Sequence, residues 1–200
     1  VGGEFRVNTV TSLSQLKPSV AALTGGGFVI TWESNGQDSS GKSVHAQRYD
    51  ASGSAVGGEF QVNTVFTDSQ SNPSVAALLG GGFVITWQST NQDGDGQGVY
   101  AQLYSGSGST VGGEFLANNY TASDQFDPSV AALSDGFIIV LHSTGQDDSG
   151  QSVHAQRFDA SGNKIGGEFR VNSQETNNQN YPYVAGLSDG FVVVYDSNDN

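Results

Sequence analysis

Several residue types are missing or scarce in this 200-residue sequence, which contains no cysteine, no methionine and only four prolines. Without cysteine the chain cannot form disulfides, a thiolate nucleophile or a cysteine-ligated zinc site. This composition is compatible with secretion by a bacterium that does not rely on disulfides. No hydrophobic run approaches the roughly 20 residues that a membrane-spanning helix needs, so we expect no membrane insertion.

Basic residues are scarce as well. Seven lysines and arginines stand against twenty acidic residues, which gives a formal net charge of −13. Nucleic acids and anionic membranes are bound through clustered lysine and arginine, so this balance disfavours both as partners. It leaves many carboxylates that could bind hard cations such as calcium.

The chain is built from an internal repeat. The motif Gly-Gly-Glu-Phe occurs at 2–5, 57–60, 112–115 and 166–169, at offsets of 55, 55 and 54 residues. Later motifs of each unit, Gln-x-x-Pro and Gly-Phe, recur with the same spacing. A fixed period of this length indicates one supersecondary unit used several times.

Each unit predicts four β-strands and no helix. In the first unit these are residues 4–8 (strand a), 19–23 (b), 28–32 (c) and 44–49 (d). Strand c is an unbroken apolar run, which indicates a strand covered on both faces. Gly-rich turns or polar loops separate the strands. The predicted class is therefore all-β.

Four antiparallel strands per repeat, with buried central strands, are typical of a β-propeller blade. We predict a β-propeller-like array of four-stranded antiparallel blades, with another stacked β-array as the alternative. The chain is predicted to be a single repeat domain over 1–200, with repeats at 1–55, 56–110, 111–164 and 165–200, the last incomplete.

The sequence starts without methionine and stops in the middle of a repeat, so we expect a trimmed or excised piece of a longer protein. Further residues or a second chain could complete the array, or it could remain open. Within a meander, the two longer polar loops, a–b and c–d, emerge on one face. Binding residues concentrate on loops held by a rigid scaffold, so we expect any ligand on that face.

The c–d loop of the second repeat is the best candidate for a metal site. Asn91, Asp93 and Asp95 place oxygen side chains at alternate positions before a glycine, a spacing that suits calcium. Asp38 and Asp147 are weaker equivalents, the latter in a loop that continues with Asp148. The glutamate that completes an EF-hand is missing, and such loops are also ordinary turn formers.

Two further residue types are candidates for ligand binding. Trp32 and Trp87 end strand c and could stack on sugar rings, although packing between blades is the alternative. The glutamines of Gln-x-x-Pro, Gln15, Gln70 and Gln125, lie at the end of the a–b loop. They could bind a ligand or instead hold the loop by bonding to its backbone.

Evidence for catalysis is sparse in the sequence. His45 and His154 are equivalent to Tyr100, so that position tolerates replacement and looks structural. No Gly-x-Ser-x-Gly motif is present, and no carboxylate pair stands out. An enzyme usually needs one asymmetric site, whereas an array presents several similar surfaces. We therefore predict that the chain is not an enzyme and has no catalytic residues.

The complete unit resembles a known type of repeat. Gly-Gly-Glu-Phe, Gln-x-x-Pro-Ser-Val-Ala-Ala-Leu, Gly-Gly-Phe-Val and Val-x-Ala-Gln-Arg together are similar to tandem repeats of very large bacterial surface proteins. Those proteins often carry RTX-type calcium repeats and are associated with type I secretion. The resemblance implies a secreted or cell-surface location, a calcium-rich setting and adhesion-like roles. The RTX nonapeptide itself is absent.

The leading functional prediction is an extracellular, non-enzymatic module, like a lectin or adhesin, that binds a glycan or another cell-surface ligand, with Ca²⁺ as a candidate cofactor. The alternatives are a structural spacer within a giant adhesin and a polysaccharide-degrading enzyme domain. An enzyme would require one cluster of side chains that differs from its repeat equivalents. In the sequence, the largest such difference is at Asn91, Asp93 and Asp95.

Overall fold

The computed structural model describes residues 3–147, 150–174 and 176–198. Gly2 of the first Gly-Gly-Glu-Phe motif and Asp148 of the third c–d loop lie outside them. All regular secondary structure in these residues is β-strand. The described residues contain no helix long and apolar enough to cross a membrane. The strands are β1 (Gln15–Ala22), β2 (Phe28–Asn35), β3 (Lys42–Tyr49), β4 (Ala55–Gln61), β5 (Gln70–Leu78), β6 (Gly82–Thr90), β7 (Gln97–Ser105), β8 (Thr110–Leu116), β9 (Gln125–Leu133), β10 (Gly136–Thr144), β11 (Gln151–Asp159), β12 (Lys164–Arg170), β13 (Gln179–Leu187) and β14 (Gly190–Ser197).

Consecutive strands pair antiparallel into separate sheets, which we call blades. Blades 1, 2 and 3 contain β1–β4, β5–β8 and β9–β12, and blade 4 contains β13 and β14 over the described residues. The prediction of an all-β array with three full units and a partial fourth is confirmed. Each blade is a simple meander, because every strand follows its sheet neighbour in sequence.

The blades begin at a different point of the repeat from the one chosen in the sequence. Each starts with the Gln-x-x-Pro strand and ends with the Gly-Gly-Glu-Phe strand of the following sequence repeat. The first Gly-Gly-Glu-Phe segment, predicted as strand 4–8, forms no strand. Its natural partner is the strand d of a preceding unit, and the described chain contains none. Phe5 packs instead on the ring of Tyr49, with the centroids 5.3 Å apart.

The hydrophobic core lies between the blades. Ile85 and Trp87 of β6 pack against Val29 and Ala46 of blade 1, while Val84 on the opposite face of β6 belongs to the cluster shared with blade 3. The unbroken apolar run of strand c therefore has the predicted cause, a neighbour on each side. Isolated blades would leave both of these faces in water, so the array folds as neighbours that cover one another.

The first strand of each blade lies innermost. β1, β5, β9 and β13 contact one another in that order, so the blades are arranged around an axis that these four edge strands surround. The axis is where side chains from all four blades can meet.

Blade 4 approaches blade 3 through a glycine. A Cβ built on Gly186 would lie 2.1 Å from the carbonyl oxygen of Ala132, whereas one on Gly167 of β12 would meet nothing within 4 Å. We predict that Gly186→Ala lowers the free energy of unfolding by about 1–3 kcal/mol through overpacking. Gly167→Ala should leave stability unchanged or raise it by up to about 1 kcal/mol. Urea unfolding of both variants tests this, and equal effects would contradict the close approach.

Candidate functional site: the axial pocket

A pocket of about 240 Å³ lies on the axis, between the inner strands. Each of the four blades contributes the same three consecutive positions to it. The lining residues are Lys17, Pro18, Ser19, Asn72, Pro73, Ser74, Asp127, Pro128, Ser129, Tyr181, Pro182 and Tyr183. The pocket is at the start of the inner strands, where the a–b loops end, so it is on the side where the sequence predicted a ligand.

A bulge at each proline shapes the pocket. In blade 1, Leu16 pairs with Glu33 and Ser19 pairs with Thr31, so Lys17 and Pro18 together oppose one residue of β2. The other inner strands show the same irregularity. A bulge accommodates proline, which cannot donate to the ladder.

The residue before each proline has a left-handed backbone. Lys17, Asn72, Asp127 and Tyr181 have φ between 48° and 52°. This conformation is uncommon for residues other than glycine and costs on the order of 1–3 kcal/mol. The same departure occurs in all four blades at the pocket wall, so the surrounding fold maintains it. We call these four residues the axial residues.

The axial residues differ although the frame around them is repeated. The chain places an ammonium group, a primary amide, a carboxylate and a phenol at four equivalent positions. Repetition of the blades therefore does not make the pocket symmetric. This is the divergent cluster that the sequence argument required of an enzyme, and it lies on the axis rather than in the loop of Asn91, Asp93 and Asp95.

Each bulge from blade 2 onward is fixed by the preceding blade. Glu33 Oε2 accepts the backbone N–H of Asn72 at 3.2 Å, and Gln88 Oε1 accepts that of Asp127 at 3.0 Å. In the same way, the N–H of Tyr181 donates to Nδ1 of His142 at 3.3 Å. These three acceptors occupy equivalent positions in the second strands, and we call them the supporting residues.

Asp127 is the carboxylate among the pocket-lining residues. Burial raises the pKa of its carboxyl group, and the Lys17 ammonium together with the hydrogen bond from Asn72 opposes that rise in part. Nδ2 of Asn72 donates to Oδ1 of Asp127 and also to Oε1 of Gln88. Asn72 therefore connects the carboxylate to the support beneath it.

His142 supports the pocket as a neutral ring. Because Nδ1 accepts the N–H of Tyr181, the ring proton of the neutral form is on Nε2. Burial lowers the pKa of His142 to about 4. Its Nδ1 lies 3.8 Å from Oδ2 of Asp127, but a neutral imidazole makes no ion pair there at neutral pH.

Glu33 lies beneath the pocket wall and is almost fully buried. Its Oε1 accepts Nζ of Lys42 at 2.8 Å, and its Oε2 holds Asn72. Both oxygens are engaged, so Glu33 positions Asn72. Tyr181 and Tyr183, in contrast, are exposed in blade 4 and line the pocket.

The residues predicted to bind a ligand lie within and between the blades. Trp32 and Trp87 are buried, and Nε1 of Trp32 donates to Gln15 Oε1 at 3.0 Å. The buried Gln70 accepts from Asn63 and donates to the carbonyl of Thr67. Gln125 makes the equivalent bonds in blade 3. These side chains fix the a–b loops and the core, so the packing interpretation fits them.

The predicted metal ligands make separate contacts. Asn91 donates to Asp68, and Asp95 accepts the backbone N–H of Ser123. Asp93 is turned inward against Gly98, and burial raises the pKa of its carboxyl group.

In blade 1, Asp38 accepts the N–H of Ser40 and the side chain of Gln61. Asp147 is at the equivalent position of blade 3. The described part of the chain contains no group of three or more acidic, histidine or cysteine side chains placed to hold a metal. Calcium stays a prediction.

Sequence reasoning missed the axial residues. It noted the proline of Gln-x-x-Pro but not the residue before it. The usable signal was that this position changes from lysine to asparagine, aspartate and tyrosine while the Gln and Pro of the motif repeat.

Comparison with models of protein families gives no match, and comparison with curated protein sequences gives none. Solved structures do match. The chain is similar to an endo-arabinase from Bacteroides thetaiotaomicron, with a TM-score of 0.55 and 14% identity, over 92% of this chain and 70% of that one. A thermostable family-43 glycoside hydrolase matches with a TM-score of 0.55 and 13% identity, over 90% of this chain and 65% of that one. A protein of unknown function from Dyadobacter fermentans matches with a TM-score of 0.63 and 14% identity, over 90% of this chain and 61% of that one.

These similarities show the fold, which is a β-propeller of the type found in glycoside hydrolases. The chain spans 61 to 70% of the length of these structures. The prediction that the chain is not an enzyme is wrong, because the structures that share its fold include an endo-arabinase and a glycoside hydrolase. The reasoning failed because repeated blades can still assemble a pocket of unlike residues.

The low pKa of His142 predicts a specific acid sensitivity. The pKa of His142 in the folded state is depressed from 6.5 to about 4. The stability that the fold gains from a neutral His142 is therefore complete above pH 6.5 and is lost as pH falls toward 4, because protons bind the unfolded chain more readily. His142→Gln keeps an acceptor for Tyr181, as Gln88 does in blade 2, but cannot titrate. We expect the variant to lose less stability than the wild type between pH 6.5 and 4 in urea melts. Parallel curves would contradict this assignment.

Proposed function

We propose that this chain acts on carbohydrate as a polysaccharide-degrading propeller domain, with the axial pocket as its sugar site. The observation that carries the proposal is the set of four unlike axial residues in an otherwise repeated frame. The similarity to propeller glycoside hydrolases supports it. The carbohydrate ligand expected from the sequence is retained, and its site moves from the loops and tryptophans to the axis.

The pocket has the chemistry that recognises a sugar. Exposed Tyr181 and Tyr183 offer apolar ring faces to the C–H faces of a sugar ring. Around them, Lys17 and Asn72 provide donors, and the carboxylate of Asp127 provides acceptors. A few polar groups that converge on a partly apolar pocket are typical of small-molecule sites.

Asp127 is the candidate proton donor. Glycoside cleavage generally uses two carboxyl groups, one of which protonates the leaving oxygen and has a raised pKa. Burial of Asp127 raises its pKa in that direction. The carboxyl group is also oriented by the amide of Asn72, as a positioned acid requires.

Asp196 is the candidate second carboxylate. In β14 it pairs with Asn180, just as Glu33 in β2 pairs with Leu16. It therefore occupies the position from which the supporting residues reach the axis. Unlike Glu33, Asp196 is exposed, so a water molecule or a sugar can approach it.

A secreted or surface location in a large bacterial protein, implied by the repeat resemblance, is part of the same proposal. It fits an acidic chain without cysteine that acts on polysaccharide outside the cell. Calcium at the c–d loops is a separate proposal, and the axial chemistry does not depend on it.

Reducing-sugar release from a panel of polysaccharides, including arabinan, tests the proposal. Asp127→Asn is expected to lower turnover about 10²–10⁴-fold, the usual contribution of a general acid, while sugar binding measured by calorimetry persists. Asp189→Asn, which changes an exposed carboxylate in the turn between β13 and β14, is the matched control and should retain full activity. If the wild type neither binds nor releases sugar from any substrate of the panel, the axial site is refuted.

Asp127→Asn should lower turnover but raise the stability of the fold. Because burial raises the folded-state pKa of Asp127, its ionisation opposes folding increasingly as pH rises through that pKa. Asp127→Asn removes this cost. We expect a higher melting temperature than wild type at pH 7 and a difference that shrinks toward pH 3. A lower melting temperature at pH 7 would show that the carboxylate contributes net stability.

A further inference from the structure

The support beneath Asp127 is itself held by another residue. Gln88 is buried in β6. Its Oε1 accepts the backbone N–H of Asp127 at 3.0 Å and Nδ2 of Asn72 at 2.9 Å. At the other end of the amide, Nε2 donates to Oε1 of Gln97 at 2.5 Å. Both ends of the Gln88 amide are therefore bonded, one toward the axis and one away from it.

The bond to Gln97 keeps the Gln88 amide facing the axis with its oxygen. The groups of Asp127 and Asn72 that meet Gln88 are both N–H donors, so they can be satisfied by Oε1 but not by Nε2. Gln97 provides the acceptor that Nε2 needs. Without this acceptor a buried donor is left unpaired, which is unfavourable. Rotation of Gln88 toward another acceptor then takes Oε1 away from Asn72.

Asn72 transmits this orientation to the carboxyl group. Its Nδ2 donates to Oε1 of Gln88 and to Oδ1 of Asp127. The two hydrogens of an amide nitrogen lie in one plane, so fixing one of them directs the other. A chain of three hydrogen bonds thus runs from Gln97 in β7 through β6 and β5 to Asp127 in β9.

The position of Gln97 is tied to the blade that carries Asp127. Gln97 is half-buried at the start of β7, where it pairs with Thr90 of β6. Its backbone N–H donates to Oδ1 of Asp124 at 3.0 Å. Asp124 directly precedes β9, so blades 2 and 3 both hold Gln97 in place.

Blade 1 has an equivalent pair with different chemistry. Lys42 occupies the position of Gln97, and Glu33 occupies that of Gln88. Nζ of Lys42 donates to Oε1 of Glu33 at 2.8 Å. A buried carboxylate needs a cationic partner, whereas the neutral Gln88 amide needs only an acceptor. In both blades, therefore, the first residue of the third strand matches the supporting residue chemically.

We propose that Gln97 is a positioning residue for the carboxyl group of Asp127, acting through Gln88 and Asn72. The role in turnover rests on the proposed function, in which Asp127 donates the proton. Gln97 does not reach the sugar. It directs the Asp127 carboxyl group by fixing the orientation of two neighbouring amides.

The neutral pair also determines the charge around Asp127. The titratable groups that face its carboxyl group are Lys17 of blade 1 and His142 of β10, and the latter is a neutral ring at neutral pH. Gln88 and Asn72 add hydrogen bonds without charge. A glutamate in place of Gln88, as in blade 1, puts a second negative charge beneath the proposed acid.

An NMR titration of the Asp127 carboxyl carbon tests the positioning without any substrate. Gln97→Leu removes the acceptor at similar size. Because the hydrogen bond from Asn72 lowers the pKa of Asp127, weakening that bond should raise the pKa. Gln37→Leu is the matched control, since Gln37 is a half-buried amide of the blade 1 c–d loop that donates to Glu59. It should leave the pKa of Asp127 unchanged, and an unchanged or lower pKa in Gln97→Leu overturns the proposal.

Kinetics on a polysaccharide that the wild type cleaves provide the second test. Gln97→Leu should lower kcat by up to about 10²-fold, the cost of a misplaced reacting group, with KM near the wild-type value. The alkaline limb of its pH profile should move to higher pH, following the raised pKa of Asp127. Gln97→Glu keeps an acceptor for Nε2 of Gln88 and should retain most of the wild-type turnover. A raised KM at unchanged kcat, or equal losses in both variants, contradicts a positioning role.

The two tests separate this proposal from the proposed function. If the wild type cleaves no polysaccharide, the proposed function fails, and the titration alone decides whether Gln97 orients Asp127. If Asp127→Asn abolishes cleavage but Gln97→Leu matches the wild type in both tests, the function stands and Gln97 has no positioning role. Urea melts of each variant establish that it is folded before either test is read.

Discussion

The structure depends on mutual coverage of blade faces. Central strands such as β6 are apolar on both sides, so neither face can stay in water without exposing large side chains such as Trp87 and Phe83. Each blade therefore gains its stability from its neighbours rather than from a core of its own. Because the sheets pack face to face, their first strands meet edge-on around the axis. Packing of the faces thus creates the pocket as a geometric consequence.

The pocket walls are strained in a way that the packing can maintain. Holding Lys17 or Asp127 at positive φ before a proline is unfavourable in isolation. The supporting residues offset part of that cost by accepting the N–H of the axial residue of the next blade. The backbone of an axial residue in blades 2 to 4 is therefore held by two blades at once. Under the proposed function, this would preorganise the carboxyl group of Asp127.

The sequence was sufficient to predict the strands, the meander and the partial fourth unit, because hydrophobic runs and glycine turns are local signals. It was misleading about where a blade begins, since Gly-Gly-Glu-Phe is the most visible motif but forms the outermost strand of the preceding sheet. The axial site is harder to locate from the sequence, because Lys17 and Asp127 share a place in the Gln-x-x-Pro motif but only the folded array shows that these positions converge on one axis. Trp87 was a candidate because an aromatic ring can stack on a sugar, yet it is buried. Gln70 recurs as Gln15, Gln125 and Gln179 because every blade uses this side chain to fix its a–b loop.

That contrast gives a general way to find a site in a repeated fold. A residue that every blade needs for folding, such as Asn63 and its equivalents Asn118 and Asn172, recurs with the same bonds. A position whose side chain the fold does not need can change from one repeat to the next. Where several such positions lie close together in space, they can form a binding site. The positions before proline can change, because the bulge holds the same backbone with four different side chains. They also lie close together, because all four line the axial pocket. Asymmetric chemistry on a symmetric scaffold therefore requires changes at only a few positions of each blade, those that line the pocket or support its wall.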